Sequence, residues 1–368
     1  KVKRVTIEAR EQQPLNPQFF YDIGESATVP YLVQFGAPLA GIGDGTATSK
    51  NTQIGIYLQD DWQVNQNLTL NVGVRYDYER SPSYLNYVTP PEVVEGLRAF
   101  VGVNAEGSGV NIDDYISTGN NRKSFNDAWQ PRLGLSFDLN ADQQHVIFSG
   151  IGRAYDRNLF DYLQLETTKG TFPGYEFFFD TPAHDCSGNP DPSRCLAWDP
   201  RYLEPEVLGA LADGTGAGRE INLLHNNLKT PYSDQFSLGM RNRVGQWNTE
   251  VAYSHVRSED GFVFLLGNRL PDGTFFAPGT IWGSPFGSGV PGFGTLILGS
   301  NGLSTRSNAL FLKADKPYTA ESGWGVGTAY TYTRAKENRQ FNERYALDYP
   351  TLADYGWKPA GGVSKHRL

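Results

Sequence analysis

The sequence predicts an all-β protein, a transmembrane antiparallel β-barrel. Three observations carry that prediction. First, residues 51–80 alternate with a strict period of two. Leu68, Leu70, Val72, Val74, Tyr76 and Tyr78 fall on one side, and Thr69, Asn71, Gly73, Arg75, Asp77 and Glu79 on the other. Such alternation marks a strand with one apolar and one wet face. Second, connections between strands alternate between very short and very long. Third, no run of about 18 apolar residues exists, so no transmembrane helix is expected, and mean hydropathy is −0.45. A barrel strand needs only about ten alternating residues, which such averages do not register. Aromatic residues are nonetheless plentiful, with 20 Tyr, 21 Phe and 7 Trp.

Taken in order, residues 2–9 and 29–36 are weak strand candidates. Eight stronger strands follow at 52–64, 68–80, 130–139, 145–155, 233–243, 247–257, 307–316 and 324–336, and residues 363–368 are a further weak candidate. Each strong segment combines alternation with β-branched and aromatic residues and is bounded by Gly, Asn, Asp or Pro. Residues 204–213 read as a short helix inside a loop. The connections 65–67, 140–144, 244–246 and 317–323 are short; 81–129, 156–232, 258–306 and 337–362 are long. Loops beyond about 15 residues are uncommon in compact soluble domains. Outer-membrane barrels place short turns on the periplasmic side and long loops outside.

That direction puts Trp62, Trp247 and Trp324 beside the short turns, and Tyr76, Tyr78, Trp129, Tyr330 and Tyr332 toward the long loops. Two aromatic belts fit two membrane interfaces; the alternative is the ordinary preference of aromatics for strands. Leu68, Leu70, Val72, Val74, Leu133, Leu135, Phe137 and Leu238 are then expected to face lipid. Asn71, Arg75, Asp77, Glu79, Arg132, Asp138 and Arg241 are expected to face the lumen. Segment 145–155 stays unassigned, because Ile147, Ile151 and Tyr155 share a side with Arg153.

"IGIYLQDDWQVNQNLTLNVGVRYDYE" (54–79) resembles the barrel of TonB-dependent outer-membrane receptors. Gln59-Asp60-Asp61-Trp62, then Leu68 to Asn71, Gly73, Arg75, Tyr76 and Asp77 carry the likeness. Segments 129–139, 152–160, 230–256, 308–318 and 327–337 add echoes, and their order is similar to the Oar-like branch. The resemblance implies a barrel of 22 strands in the bacterial outer membrane, a plug domain and a TonB energy-coupling partner. It spans most of residues 50–368. No plug, TonB-contacting segment or terminal aromatic strand is recognised, so residues 1–368 are expected to be an internal part of one larger barrel domain. The family's plug and coupling residues map to no position here.

Among individual motifs, Cys186 and Cys195 are the only cysteines and lie close together in a long loop. An oxidising exterior favours a disulfide there. His184 and Asp185 beside Cys186 permit a zinc reading, without four ligands at metal spacing. "GESAT" (24–28) lacks the last glycine of a nucleophile elbow. "GIGDG" (41–45) and "GTGAG" (214–218) open no helix and read as loop turns, as does Asp272–Gly273. The five His residues form no acid–base constellation, so neither an enzyme nor a cofactor is expected. The apolar stretch 262–299 is open to two readings: a loop folded onto the barrel mouth or plug, or a surface for an apolar ligand. Formal charge is −8, with no basic tract, which disfavours nucleic acid. The leading expectation is import of an unknown ligand with TonB-relayed energy, with outer-membrane lipid as the surrounding partner. Alternatives are a passive channel, or a structural or surface-binding barrel protein.

Overall fold

The computed structural model describes residues 1–10, 17–36, 46–100, 110–157, 160–171, 174–188, 192–212, 220–267, 290, 293, 296–338 and 356–368. The strands are β1 (Val2–Arg10), β2 (Gln18–Phe20), β3 (Leu32–Gly36), β4 (Thr46–Gln63), β5 (Leu68–Arg80), β6 (Phe125–Asp138), β7 (His145–Tyr155) and β8 (Gly174–Asp180). They continue as β9 (Cys195–Ala197), β10 (Ile221–Leu224), β11 (Tyr232–Val244), β12 (Trp247–Leu266), β13 (Leu296–Lys316), β14 (Val326–Glu337), β15 (Lys358–Pro359) and β16 (His366–Arg367). Among the described residues four α-helices interrupt them: α1 (Pro82–Leu85), α2 (Pro91–Ala99), α3 (Phe160–Thr171) and α4 (Pro205–Gly209).

The large sheet follows the order β1-β4-β5-β6-β7-β11-β12-β13-β14-β15, with β10 and β16 attached to it. Its main strands are antiparallel neighbours in chain order, so all four short turns lie at one end. The turns confirm this by touching one another. Asn67 donates Nδ2–H to the Asp138 carbonyl at 2.6 Å, Arg243 N donates to the Gln144 carbonyl at 2.7 Å, and the Trp247 and Trp324 rings meet at 6.2 Å.

Local chemistry closes each turn. Asn65 Oδ1 accepts from the N–H of Asn67 and Leu68, both at 2.9 Å, an Asx turn. The β11–β12 hairpin has only two loop residues, Gly245 and Gln246, because Val244 pairs with Trp247. Gly245 supplies φ 61°, the left-handed conformation that tight hairpins require. Asp138 accepts from Gln143 N at 2.6 Å and steadies a turn containing Ala141 and Gln143 at positive φ.

The strongest strands match their sequence segments, with β5 and β7 as expected to the residue. The helix expected at 204–213 is the short α4. Segment 29–36 forms β3, but in a separate sheet of order β2-β3-β8-β9. Segment 258–306 is not all connection. Strands β12 and β13 run on past a bulge at Ser258–Gly261, where Asp260 takes φ 59°.

These extensions build the long-loop end. The described apolar residues of 262–299 pack inward rather than forming an open surface: Leu265, Val290, Leu296 and Leu298 are buried with Val93, Leu97, Phe100, Ile112 and Leu223. The middle of that segment, including Asp272–Gly273, lies outside the described residues, as do residues 41–45 and 214–218. A second cluster fills the small sheet, with Val33, Phe35, Tyr175, Phe177, Phe179 and Leu208. Cys186 and Cys195 are joined in a disulfide beside it, Cα atoms 5.6 Å apart. That bond removes Cys186 from the zinc reading. The "GESAT" segment is a turn, in which Glu25 N and Ser26 N donate to the Asp22 carbonyl.

Candidate functional site

The register sorts the large sheet into two chemically distinct faces. Leu70 pairs with Leu135, Val72 with Leu133, Leu68 with Phe137; Leu135 then pairs with Ser149 and Ser149 with Leu238. Val74, opposite Pro131, completes the same stripe. All eight positions expected to meet lipid therefore share one face. On that face Leu58 is 74% exposed, Val72 50% and Leu238 47%, a contiguous apolar surface of the kind that water does not leave uncovered. Aromatic pairs stand at both ends: Trp247–Trp324 at the turns and Tyr76–Trp129, centroids 4.6 Å apart, toward the loops.

The seven positions expected to face the lumen share the opposite face. Asn71 lies opposite Gly134, Arg75 opposite Gln130, Asp77 opposite Ala128 and Glu79 opposite Phe125. Arg132 pairs with Gly152, and Asp138 with Val146, itself opposite Arg241. The unassigned segment is now placed. Val146, Phe148, Gly150 and Gly152 belong to the polar face, and Ile147, Ile151 and Arg153 to the apolar one.

The polar side chains form a connected wall. Arg75 holds Asp77 through Nε and Nη2 at 2.7 and 2.8 Å, and Gln130 Nε2 donates to the same carboxylate at 2.5 Å. Charged partners with two parallel bonds are geometrically fixed as well as attracted. Asn51 and Gln53 donate to Glu79 Oε1 at 2.6 and 3.3 Å, and Asn71 donates to Asp61 at 2.6 Å. Gly55 makes room here, since a Cβ would fall 2.6 Å from Asp77 Oδ1. Arg157, just after β7, reaches across two intervening strands to donate to Gln53 of β4 at 2.5 Å. Beneath it lies a cavity of about 590 Å³, lined in part by Tyr57, Arg75, Asp77, Gln130, Arg132 and Arg157.

Above the wall the long connections are fastened by a buried ion pair that the sequence did not reveal. Arg122 and Glu166 have fully buried side chains and bond at 2.6 and 2.8 Å. Arg122 also donates to the carbonyls of Tyr84 and Leu224 and to Asn226 Oδ1, so all five guanidinium N–H groups are used. Its plane lies 4.5 Å from the Tyr84 ring centroid. Glu166 takes a further bond from Leu224 N at 2.8 Å. Burial pushes the Glu166 carboxyl above its ordinary range, against the pull of Arg122. Burial likewise pushes the Tyr84 hydroxyl up to about 12 and lowers the His225 imidazole. This knot joins α1, α3 and β10. No periodicity marks such residues inside irregular connections, and only their distant partners identify them.

Residues 35–368 match the family model "Outer membrane beta barrel domain". The TonB-dependent transporter Oar of Myxococcus xanthus is 23% identical over 309 residues, covering 79% of this chain and 24% of that protein. The chain thus spans about a quarter of the length of the curated relative it matches. Among solved structures, the outer membrane transporter YddB from Escherichia coli is similar with a TM-score of 0.48 and 14% identity, over 92% of this chain and 34% of that one. The siderophore receptor PirA from Pseudomonas aeruginosa gives 0.37 and 12%, over 91% and 42%. With the family model spanning nearly the whole chain, the protein belongs to the outer membrane β-barrel domain family.

Proposed function

We propose that the intact protein is an outer-membrane receptor that imports a ligand through a plugged barrel, with energy relayed by the TonB complex. The observation that carries this reading is the hydrogen-bonded charged wall on one face of a sheet whose other face is apolar. The apolar face, with Leu68, Leu70, Val72, Val74, Leu133, Leu135, Phe137 and Leu238, meets lipid. The polar face, with Asn71, Arg75, Asp77, Glu79, Arg132, Asp138 and Arg241, lines the lumen. Arg157 supports this assignment, because its reach from β7 to β4 fits a concave polar side. Fixed donors and acceptors can hold a polar plug by hydrogen bonds and ion pairs, whereas a water-filled pore needs only wettable groups.

The short turns lie on the periplasmic side and the packed loops outside, where loops on a rigid scaffold commonly bind. The relative Oar is a TonB-dependent transporter, which supports the energy source. Among the described residues the ten-strand path leaves two edges unpaired, and open edges do not persist in lipid. Residues 1–368 are therefore read as part of one larger barrel, for which the resemblance suggests 22 strands. A passive channel is the second reading, since a charged wall also suits a wet pore. Ligand uptake by cells carrying the full-length gene, with and without a working TonB system, separates the two. Uptake is expected to fall to background without TonB; unchanged uptake would leave the passive channel.

A further inference from the structure

At the long-loop end of the apolar face, the register lines up charged residues across five neighbouring strands. Arg153 pairs with Asp234, Asp234 with Arg257, Arg257 with Arg306 and Arg306 with Lys336. One step toward the turns come Ile151, Phe236, His255, Asn308 and Arg334; one step further come Ser149, Leu238, Tyr253, Leu310 and Tyr332. The surface thus passes along the strands from a largely apolar and aromatic row, through a mixed one, to a charged and mainly basic one.

The height of this row is set by geometry. Arg257 lies ten residues from Trp247 at the turn end. At about 3.3 Å per residue and a tilt of about 40°, ten residues climb about 25 Å, the height of the apolar band of a membrane barrel. An outward Arg at the midplane costs about 2–4 kcal/mol, but only about 0–1 near an interface. The row stands at the level where outward charge is tolerated.

Its sign is equally specific. Arg153, Arg257, Arg306, Arg334 and Lys336 face two carboxylates on this surface, Asp234 and Glu259, for a net +3, on a chain whose formal charge is −8. Some of this charge is internally balanced. Arg153 is held by Asp234 at 2.7 and 2.8 Å over the Tyr232 ring, and Arg257 gives Nε to Glu259 at 2.5 Å. Arg306 instead sits over the Trp357 ring, its Cζ 4.2 Å from the centroid. Among the described residues neither Arg306 nor Arg334 has a carboxylate within ion-pair distance. A guanidinium presents two parallel N–H groups that fit phosphate oxygens.

We infer that this basic row, centred on Arg257, Arg306 and Arg334, binds the phosphate groups of outer-leaflet lipid headgroups. It rests on the assignment of the apolar face to lipid, but not on transport. The occupant is a lipid rather than a free phosphate, because the row continues an apolar surface that acyl chains would cover.

The test uses the full-length protein in nanodiscs of phosphatidylcholine with a minor fraction of phosphatidic acid, reading phosphatidic acid enrichment at the protein by native mass spectrometry. A nitroxide on Leu238→Cys reports lipid contact separately, so a wrong facing is distinguished from a wrong headgroup site. Arg257→Gln/Arg306→Gln/Arg334→Gln is expected to lower the enrichment about a hundredfold, given about 1 kcal/mol for each of the three basic residues near a charged surface. Arg98→Gln/Lys123→Gln/Arg201→Gln, which removes equal charge from the loops, should leave it unchanged. Should the triple variant not fold, Arg306→Gln alone should still lower it severalfold. Equal enrichment in variant and wild type, equal loss in the control, or equal enrichment of oleate, an anion without phosphate, would overturn the inference.

Discussion

Gly239 shows how closely single residues are fitted in this sheet. On the polar face of β11, a Cβ there would fall 2.8 Å from Phe148 Cε2 and 2.9 Å from the Ala252 Cβ. The Phe148 ring also lies 5.2 Å beneath the Arg241 guanidinium, so it cannot shift without disturbing its neighbour. Gly239→Val should destabilise the folded protein by about 1–3 kcal/mol, the usual range for overpacking, whereas Gly209→Ala, with nothing within 4 Å, should be near neutral. Urea unfolding of the two variants in micelles provides the comparison. The Arg122–Glu166 pair makes a second residue-scale prediction. Removing one member of a buried pair leaves an uncompensated charge, at a cost of about 3–5 kcal/mol. Arg122→Leu should loosen the loop assembly, seen as faster amide exchange at Leu224 and Leu228, and Arg122→Leu/Glu166→Leu should restore part of the protection. Equal exchange in single and double variants would count against the pair as the fastening.

At the scale of elements, legibility followed periodicity. Strands β5 and β7 were readable to the residue because each alternates without interruption and ends in turn-forming residues. The sorting of the eight apolar and seven polar positions onto two opposite faces followed, since a period of two leaves only two faces to choose between. Facing in β7 was not readable, because Arg153 shares a side with Ile147 and Ile151; only Asp234, its partner on the neighbouring strand β11 and 81 residues away in sequence, explains a charge there. The ends of β12 and β13 were missed because the bulge at Ser258–Gly261 breaks the alternation and their apolar residues run together. Of the small sheet β2-β3-β8-β9 only the segment of β3 was legible, because the strands are short and β3 and β8 lie 142 residues apart at Gln34 and Glu176. The loop assembly also has a pH dependence. The His225 ring lies between Tyr115, 5.2 Å away, and Asp114, its Nδ1 accepts from Asn227 N at 3.0 Å, and burial lowers its pKa from 6.5. A lowered value means that the unfolded loop binds the proton more readily. Its stabilisation is therefore fully present above pH 6.5 and is lost as pH falls through the folded value. Amide protection at Leu224–Leu228 should decline on acidification below about pH 6.5, and His225→Asn should flatten that decline.

At the scale of the whole molecule, the large sheet has two chemically opposite faces. The apolar face carries exposed Leu, Val and Ile between two aromatic levels, and the polar face carries ion pairs and amides over a cavity. A soluble protein would have to cover the first face, and a lipid-filled barrel could not keep the second. Short turns at one end and packed loops at the other give the sheet a direction, and the buried Arg122–Glu166 knot gives those loops a defined shape. The most direct measurement is a nitroxide scan of positions 70–75 in the full-length protein reconstituted in vesicles, comparing collisions with oxygen and with a water-soluble nickel chelate. Cys186 and Cys195 are joined in a disulfide and do not take the label. Labels at Leu70, Val72 and Val74 should collide with oxygen and avoid nickel, while those at Asn71, Gly73 and Arg75 should not show the lipid signature. Absence of alternation, or lipid contact at Asn71 and Arg75 instead, would contradict the account.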